Sequence, residues 1–251
     1  PRCEKNGLGS TGVTQELVDA FYMKDGLPIS ATAYLPQSTL YQEEGYGTYK
    51  DQNDNFSKKY TNVSVSNRYL NREPRFYNTV FFNGRQWPVS CNQVLFYNGG
   101  NSGVQEGQAT LTGYMLFKRF NRSVSLTNPG VTSQFRPSII FRLADFYLMY
   151  AEAANEVNPN DVRVLKYLNL VRERAGLPGV ETLNPAIRGN QELQRAAIQR
   201  ERQVELATEG QRYFDVRRWM IADKNGEGRQ NGYAHGMNVR GEPNDIDDFN
   251  R

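Results

Sequence analysis

The sequence predicts an all-α fold, mainly helical, with long irregular loops and a minor β element. Three observations lead to this prediction. Apolar residues recur at helical spacing through residues 136–221, and helix start and stop signals divide that block into segments. The flanking stretches are rich in Gly, Asn and Tyr and lack such a period. We therefore divide the chain into a loop-rich part at 14–135, a helical core at 136–221 and an extended tail at 222–251.

The first long helix is predicted to run from Pro137 to Val157. Proline suits a first helical turn because its φ is fixed and its missing N–H is not needed there. From Ile139 onward almost every residue is apolar. The polar exceptions share one narrow helical stripe: Arg142, Asp145, Glu152 and Glu156. A helix that is apolar around most of its circumference is buried on several sides, so we expect this one inside a multi-helix core.

A second helix follows after a short turn. Asn158 is predicted to cap this helix, Pro159 fits its first turn, and Asp161 places a negative charge where the dipole of the new helix favours it. Gly176 suits the left-handed position after the last turn, Leu177 suits the hydrophobic contact beyond it, and Pro178 prevents continuation. Two helices joined by so short a turn form an antiparallel hairpin, the unit of tetratricopeptide-like α-α superhelices.

A third helix is predicted from Gln191 to Thr208, capped by Asn190, and Gly210 separates it from a short fourth helix. Charged residues gather near this junction. We expect an ion-pair network of three glutamates with three arginines: Glu201, Glu205 and Glu209 with Arg200, Arg212 and Arg218.

The loop-rich part contains weaker signals. Thr14 caps a predicted helix that runs to Phe21, and residues 30–66 are expected to be irregular. Residues 68–82 are predicted to be helical, with Glu73 before Pro74 in a first turn. Residues 94–97 and 111–120 are predicted to pair as two strands, which gives the minor β element.

Composition excludes several classes of function. The 251 residues include 30 basic and 27 acidic side chains, a balance too even to indicate a nucleic-acid partner. The sequence contains no long uncharged apolar run of the kind that predicts a membrane span. One histidine, His235, and two distant cysteines, Cys3 and Cys91, do not form a common zinc site or a Cys-His or Ser-His catalytic pair. We expect no cofactor and no metal, and whether the cysteines are paired stays open.

The aromatic residues are the best candidates for binding. Sugar rings have apolar faces that stack on flat side chains, while polar neighbours read the hydroxyls. Two places combine both features. The candidate ligand-binding residues are Trp87 with Arg85 beside it, and Tyr41, Tyr46 and Tyr49 in the long loop. The alternative is that these rings pack the loops onto the helices.

Three blocks resemble one known family in order and spacing: FRLADFYLMYAEAANEV, LNLVRERAGLP and IQRERQVELATEGQRYFDVRRW. They are similar to the C-terminal half of the SusD/RagB family. TQELVDAFYMKDGLPI, TGYMLFKRF and NREPRFYNTVFFNG agree, although Glu73 stands where the family usually has Asp. The resemblance covers most of residues 14–221.

The resemblance implies a non-catalytic nutrient-binding lipoprotein on the extracellular face of the outer membrane of Bacteroidetes-type bacteria. It implies an oligosaccharide or polysaccharide ligand, a SusC-like TonB-dependent transporter as partner, and a lipid anchor in the N-terminal half that this chain lacks relative to the family. Two alternatives stay open. The same scaffold would bind peptides or another nutrient, or a glycoside hydrolase would use Glu201 and Glu205 as its two carboxylates.

Overall fold

A computed structural model describes residues 11–50, 62–87, 93–106, 109–118, 120, 138–222 and 235–250. These residues form eight α-helices and four short strands, which confirms a mainly helical fold with a minor β element. The helices are α1 Gln15–Ala20, α2 Pro74–Thr79, α3 Leu143–Val157, α4 Val162–Arg174, α5 Val180–Leu183, α6 Gln191–Glu205, α7 Gln211–Arg218 and α8 Ile246–Phe249. The strands are β1 Tyr46–Tyr49, β2 Val63–Ser66, β3 Val80–Phe81 and β4 Met115–Leu116.

The predicted helical hairpin is formed by α3 and α4, and α6 packs against both. The Asp161 side chain accepts from the Arg163 N–H at the start of α4, and that of Asn190 accepts from the Leu193 N–H at the start of α6. Helix α6 therefore begins where Asn190 predicted a start, whereas α4 begins three residues after Pro159 because Asp161 rather than Asn158 is its N-cap. Apolar side chains of the three helices form one core with Tyr22, Tyr34 and Leu35 from the loop-rich part.

The end of α4 also follows its sequence signal. Gly176 has a φ of +80°, the left-handed region that glycine enters without a Cβ penalty. The Leu177 N–H donates to the Arg172 carbonyl, and the Gly176 N–H donates to the Glu173 carbonyl. This is the Schellman arrangement, and it buries Leu177 in the core.

The predicted start and burial of the first long helix were wrong. The helix begins at Leu143, because Arg142 is extended, with φ −144° and ψ 161°. Pro137 lies outside the described residues. Instead of being buried on several sides, α3 buries one face and exposes large apolar side chains on the other, including Phe146 and Tyr150. The apolar run therefore supplies both a buried face and an exposed face of α3.

The loop-rich part forms a second core, which the sequence did not predict as a unit. Its rings stack closely; Tyr69 and Phe82, for example, lie 4.5 Å apart between ring centroids. The predicted helix at 68–82 is α2 followed by β3. The predicted strand pairing was also wrong, since Met115 of β4 pairs with Phe81 of β3 rather than with residues 94–97.

Two further differences concern the long loop and the tail. Residues 46–49 and 63–66, expected to be irregular, form an antiparallel pair in which Tyr46 lies opposite Ser66. The described tail residues, 235–250, do not simply extend over the surface. Met237, Val239 and Phe249 are buried in the core of the loop-rich part. This packing brings the tail beside β1.

Within the described ranges, none of the helices combines the length and the apolar character that crossing a bilayer requires.

Candidate functional site

Three of the five predicted ligand-binding residues are core residues. Trp87, Tyr49 and Arg85 are 4%, 7% and 1% exposed. The Trp87 ring contacts that of Phe120 at 4.5 Å between centroids, and Tyr49 stacks on Tyr77 at 5.2 Å. Rings enclosed in this way offer no face to a ligand, so their place matches the packing alternative.

Arg85 has an equally internal role. Its Nη1 donates to the carbonyls of Tyr77 and Val80 at 2.7 and 3.0 Å, and its guanidinium lies 4.6 Å from the centre of the Phe117 ring. The group thus satisfies backbone acceptors inside an aromatic core. An arginine beside a tryptophan is as compatible with this structural role as with a binding site. The residue types alone therefore did not distinguish the structural role of Arg85 from a ligand-binding role.

Tyr46 is the predicted residue that the structure leaves most exposed, with 43% of its surface accessible. Its hydroxyl donates to Asp247 Oδ1 at 2.9 Å and accepts from Asn250 Nδ2 at 2.9 Å. Burial and the hydrogen bond to Asp247 raise the pKa of Tyr46 to about 12. The phenol is therefore neutral at physiological pH, and two residues of the tail fix its position.

The backbone around Tyr46 supports this position. Gly45 has a φ of +83°, which allows the chain to turn into β1. A Cβ on Gly47 would lie 2.6 Å from Leu70 Cδ1 and 2.8 Å from Asn67 Oδ1. Gly47 therefore lets Asn67 lie against the strand, where its Nδ2 donates to the Glu44 carbonyl at 2.9 Å.

Arg68 completes this surface. Its Nη2 donates to the Asn250 carbonyl at 2.9 Å and lies 3.9 Å from the Glu43 carboxylate. Tyr41, the remaining predicted residue, is half-buried nearby, and burial followed by the Glu43 charge raises its pKa. We define the Tyr46 surface by five residues: Tyr46, Asn67, Arg68, Asp247 and Asn250.

The Tyr46 surface combines an exposed aromatic ring with a carboxylate, two amides and a guanidinium. Such a set suits a ligand with apolar faces and many hydroxyls. Sequence reasoning found Tyr46 but missed the tail residues, because about two hundred positions separate them along the chain. No local signal predicts that contact.

A second group of charged residues lies between the two cores. Arg75 donates to three carboxylates: to Glu73 at 2.6 Å, to Glu201 at 2.5 Å and to Glu205 at 2.9 Å. Glu201 also accepts from Arg172 at 3.4 Å. The predicted charge network therefore exists around the glutamates of α6.

Two of the three arginines predicted for that network, Arg200 and Arg218, have other partners. Arg200 donates to the carbonyls of Asp19 and Ala20, and Arg218 pairs with Glu152 and Asp215. The actual partners come from distant segments, which periodicity along one helix does not identify. Beyond Arg75 and Arg172, they are Arg142 and Arg174 on Glu205, with Arg142 and Lys118 on Glu209.

This environment opposes acid catalysis by Glu205. Burial alone would raise its pKa, but the Arg75 and Arg142 guanidiniums outweigh burial and lower the pKa to about 2. A general acid requires a raised pKa. Among the residues that the structure describes, no group of His, Cys, Asp or Glu is arranged to hold a metal ion. Cys3 and Cys91 lie outside the described residues.

The fold thus consists of a helical hairpin packed beside an aromatic loop core, with the exposed Tyr46 ring and its polar neighbours at the tail. The SusD family model matches residues 1–250. The chain belongs to the SusD family.

Individual relatives agree. The curated SusD-like protein P25 of Formosa agariphila is 45% identical over 83 residues, which is 33% of this chain and 15% of that protein. A solved SusD-like protein of Bacteroides fragilis is 32% identical with a TM-score of 0.61, over 85% of this chain and 37% of that one. A second from Bacteroides fragilis, described as a SusD-like carbohydrate binding protein, shares the fold at 24% identity and a TM-score of 0.56, over 83% and 35%. The chain thus spans well under half of these relatives.

Proposed function

We propose that this chain is part of a non-catalytic, cell-surface glycan-binding protein of a SusC/SusD-type nutrient uptake system. The protein would be lipid-anchored on the extracellular face of the outer membrane and would pass oligosaccharide to a SusC-like TonB-dependent transporter. Membership of the SusD family supports the class. The observation that carries the glycan assignment is the exposed ring of Tyr46 within a polar frame.

The Tyr46 surface suits recognition of a sugar. A pyranose face would stack on the exposed ring, as apolar ligand faces stack on aromatic side chains. Asn67, Arg68 and Asp247 supply donors and acceptors around it for hydroxyl groups. Because tail residues already hold the Tyr46 hydroxyl, little side-chain entropy is lost on binding.

The buried carboxylates support a role without catalysis. Glu201 is fully buried and Glu205 is 4% exposed, and both accept from Arg75. The Arg75 and Arg142 guanidiniums lower the pKa of Glu205, and a carboxyl group with a lowered pKa is not suited to donate a proton to a leaving group. Their arrangement favours a structural role that joins α2 to α6.

Native affinity electrophoresis tests the function directly. The 251-residue chain is run through gels that contain a panel of polysaccharides, with a gel without polysaccharide as reference. We expect one or more polymers to retard it while leaving the polymer chain length unchanged after long incubation. Retardation by none, together with saturable binding of peptides in solution, would replace the glycan proposal with the peptide alternative.

A separate experiment tests the hydrolase alternative. If the chain shortens a polymer and Glu201→Gln abolishes that activity in a folded protein, the non-catalytic proposal is wrong. We expect instead that Glu201→Gln lowers stability and leaves retardation of the folded fraction unchanged, because Glu201 is buried inside the ion-pair network and is not one of the residues of the Tyr46 surface.

A further inference from the structure

The Tyr46 surface is flanked by carboxylates, although the whole chain has more basic than acidic residues. Asp247 Oδ1 accepts from the Tyr46 hydroxyl at 2.9 Å. The Glu43 side chain is 68% exposed and lies 3.9 Å from Arg68. Glu44, which precedes Tyr46 closely in the sequence, is also exposed. Three carboxylates therefore surround the ring, with one guanidinium among them.

The cations near this surface do not balance its carboxylates. The Arg68 side chain is 13% exposed, and two of its N–H groups face inward. Its Nη2 donates to the Asn250 carbonyl at 2.9 Å, and its Nη1 donates to the Met237 sulfur at 3.4 Å. Lys50 follows the far end of β1, about 13 Å along the strand from Tyr46.

Two of the three carboxylates have no cationic partner. Among the residues that the structure describes, neither Asp247 nor Glu44 lies within ion-pairing distance of an arginine or a lysine. Glu43 is the one that has Arg68 nearby, at a distance typical of a weak, exposed pair. The negative charge on this side of the molecule is thus available to a ligand.

The Tyr46 ring favours a cation for a separate reason. The face of an aromatic ring attracts positive charge, and this ring has 43% of its surface accessible. Its hydroxyl donates to the Asp247 carboxylate, and a hydrogen bond to an anion polarises the phenol toward the ring. A cation over the ring would therefore be attracted both by the ring and by the adjacent carboxylate.

We propose that the ligand of the Tyr46 surface is a glycan built from amino sugars with free, protonated amino groups. This inference rests on the proposed function and adds the charge of the ligand to it. A glucosamine-type ring would lay its apolar face on Tyr46, while its ammonium group donates to Asp247 or Glu44. An anionic glycan would meet the same carboxylates as like charges, which lowers affinity.

A matched pair of sugars tests this proposal by isothermal titration. One is the hexamer of glucosamine, and the other is the same hexamer with every amino group acetylated. The two share a backbone and differ in charge, in a buffer that keeps the free amines protonated. We expect the glucosamine hexamer to bind the 251-residue chain about tenfold more tightly or better, and salt to reduce this preference.

Asp247→Asn identifies the source of the preference. Asparagine keeps an oxygen that accepts from the Tyr46 hydroxyl, so the ring stays in place while the charge is removed. We expect the affinity for the glucosamine hexamer to fall by about fivefold and that for the acetylated hexamer to stay unchanged. General damage to the surface would weaken both. Glu192→Gln, at an exposed carboxylate of α6, should alter neither affinity.

Several results would overturn the proposal. Equal affinity for the two hexamers, binding of neither, or a preference that survives Asp247→Asn combined with Glu44→Gln would show that the carboxylates do not select the ligand. A lysine-rich peptide that binds more tightly than the glucosamine hexamer and displaces it would make a peptide the ligand.

The proposed function is judged by a separate result. If a neutral polysaccharide retards the wild-type chain in electrophoresis and Tyr46→Ala removes that retardation, the Tyr46 surface binds glycan whatever its charge preference. Failure of the amino-sugar proposal is thereby distinguished from failure of the glycan-binding proposal. Circular dichroism of each variant verifies folding, which we expect to be intact because the substituted side chains are exposed.

Discussion

Arg75 Nη1 donates to Glu201 Oε1 at 2.5 Å and thereby joins α2 of the loop core to α6 of the helical core. The side chains are 11% and 0% exposed, so water screens the pair little. The same guanidinium also donates to Glu73 and Glu205, so one residue contacts three carboxylates between the two cores. This contact is one of several that join the loop core to the helices, along with the hydrogen bonds from Arg200 to the carbonyls of Asp19 and Ala20.

Arg75→Met should therefore lower the free energy of unfolding by about 3–5 kcal/mol, since it leaves buried carboxylates without their cation. Urea denaturation followed by circular dichroism measures the loss. Arg195→Met is the matched control, because it breaks the exposed pair with Glu156 and should cost about 0–1 kcal/mol. A loss below about 1 kcal/mol for Arg75→Met would show that the network does not stabilise the fold.

Acid should weaken the fold partly through Glu205. Its pKa falls from 4.5 to about 2 on folding, so the folded state favours its charged form. That stabilisation is fully present above pH 4.5 and is lost as the pH falls toward 2; it amounts to about 3 kcal/mol. Glu205→Gln should flatten this part of the stability profile, whereas Glu43→Gln, at an exposed carboxylate, should leave it unchanged. Identical profiles for wild type and Glu205→Gln between pH 6 and pH 3 (about the range accessible to urea titration) would contradict the assignment.

Trp87→Ala should lower the stability of the fold without removing a ligand contact. The ring is enclosed by Phe81, Phe117 and Phe120, so its removal leaves a cavity and should cost about 3–5 kcal/mol. Tyr213→Ala, at a ring that is 58% exposed, should change stability by no more than about 0.5 kcal/mol. Thermal unfolding compares the two. If the Trp87→Ala variant is as stable as wild type but has lost ligand binding, Trp87 belongs to the ligand-binding site.

Gly47→Ala should disturb the Tyr46 surface from behind. The added Cβ would meet Leu70 and Asn67 at less than 3.0 Å, so Asn67 must move from its place beside the strand. We expect ligand affinity to fall by about threefold or more, because a polar group of the surface is displaced. Thr48→Ala, at the next exposed position of β1, controls for the strand itself. Unchanged affinity in Gly47→Ala would exclude Asn67 from recognition.

The helix boundaries at Asn190 and Gly176 were the most predictable part of the fold, because these caps act locally. Asn190 begins α6 and Gly176 ends α4 through hydrogen bonds within a few residues of themselves. Burial was less predictable. The apolar residues of α3 read as one buried surface, yet Phe146, Tyr150 and Val157 are exposed, since periodicity does not show which faces find a partner.

The burial of the candidate site residues could not be predicted from the sequence either. Trp87 and Tyr46 have similar polar neighbours in sequence, but one is 4% and the other 43% exposed. The difference arises from contacts over long separations, with Phe117 and Phe120 enclosing Trp87 and the tail supporting Tyr46. Pairing of β4 with β3 depends on similar distant contacts, and no turn signal in the sequence indicated it.

The central claim is that the exposed ring of Tyr46 binds the ligand, and isothermal titration with the polysaccharide that most retards the wild-type chain tests it most directly. We predict that Tyr46→Ala weakens binding by about tenfold or more, while Tyr46→Phe keeps the ring and stays within about threefold of wild type. Tyr213→Ala should bind as wild type does. If Tyr46→Ala, correctly folded, binds the polysaccharide with wild-type affinity, the Tyr46 surface is not the binding site.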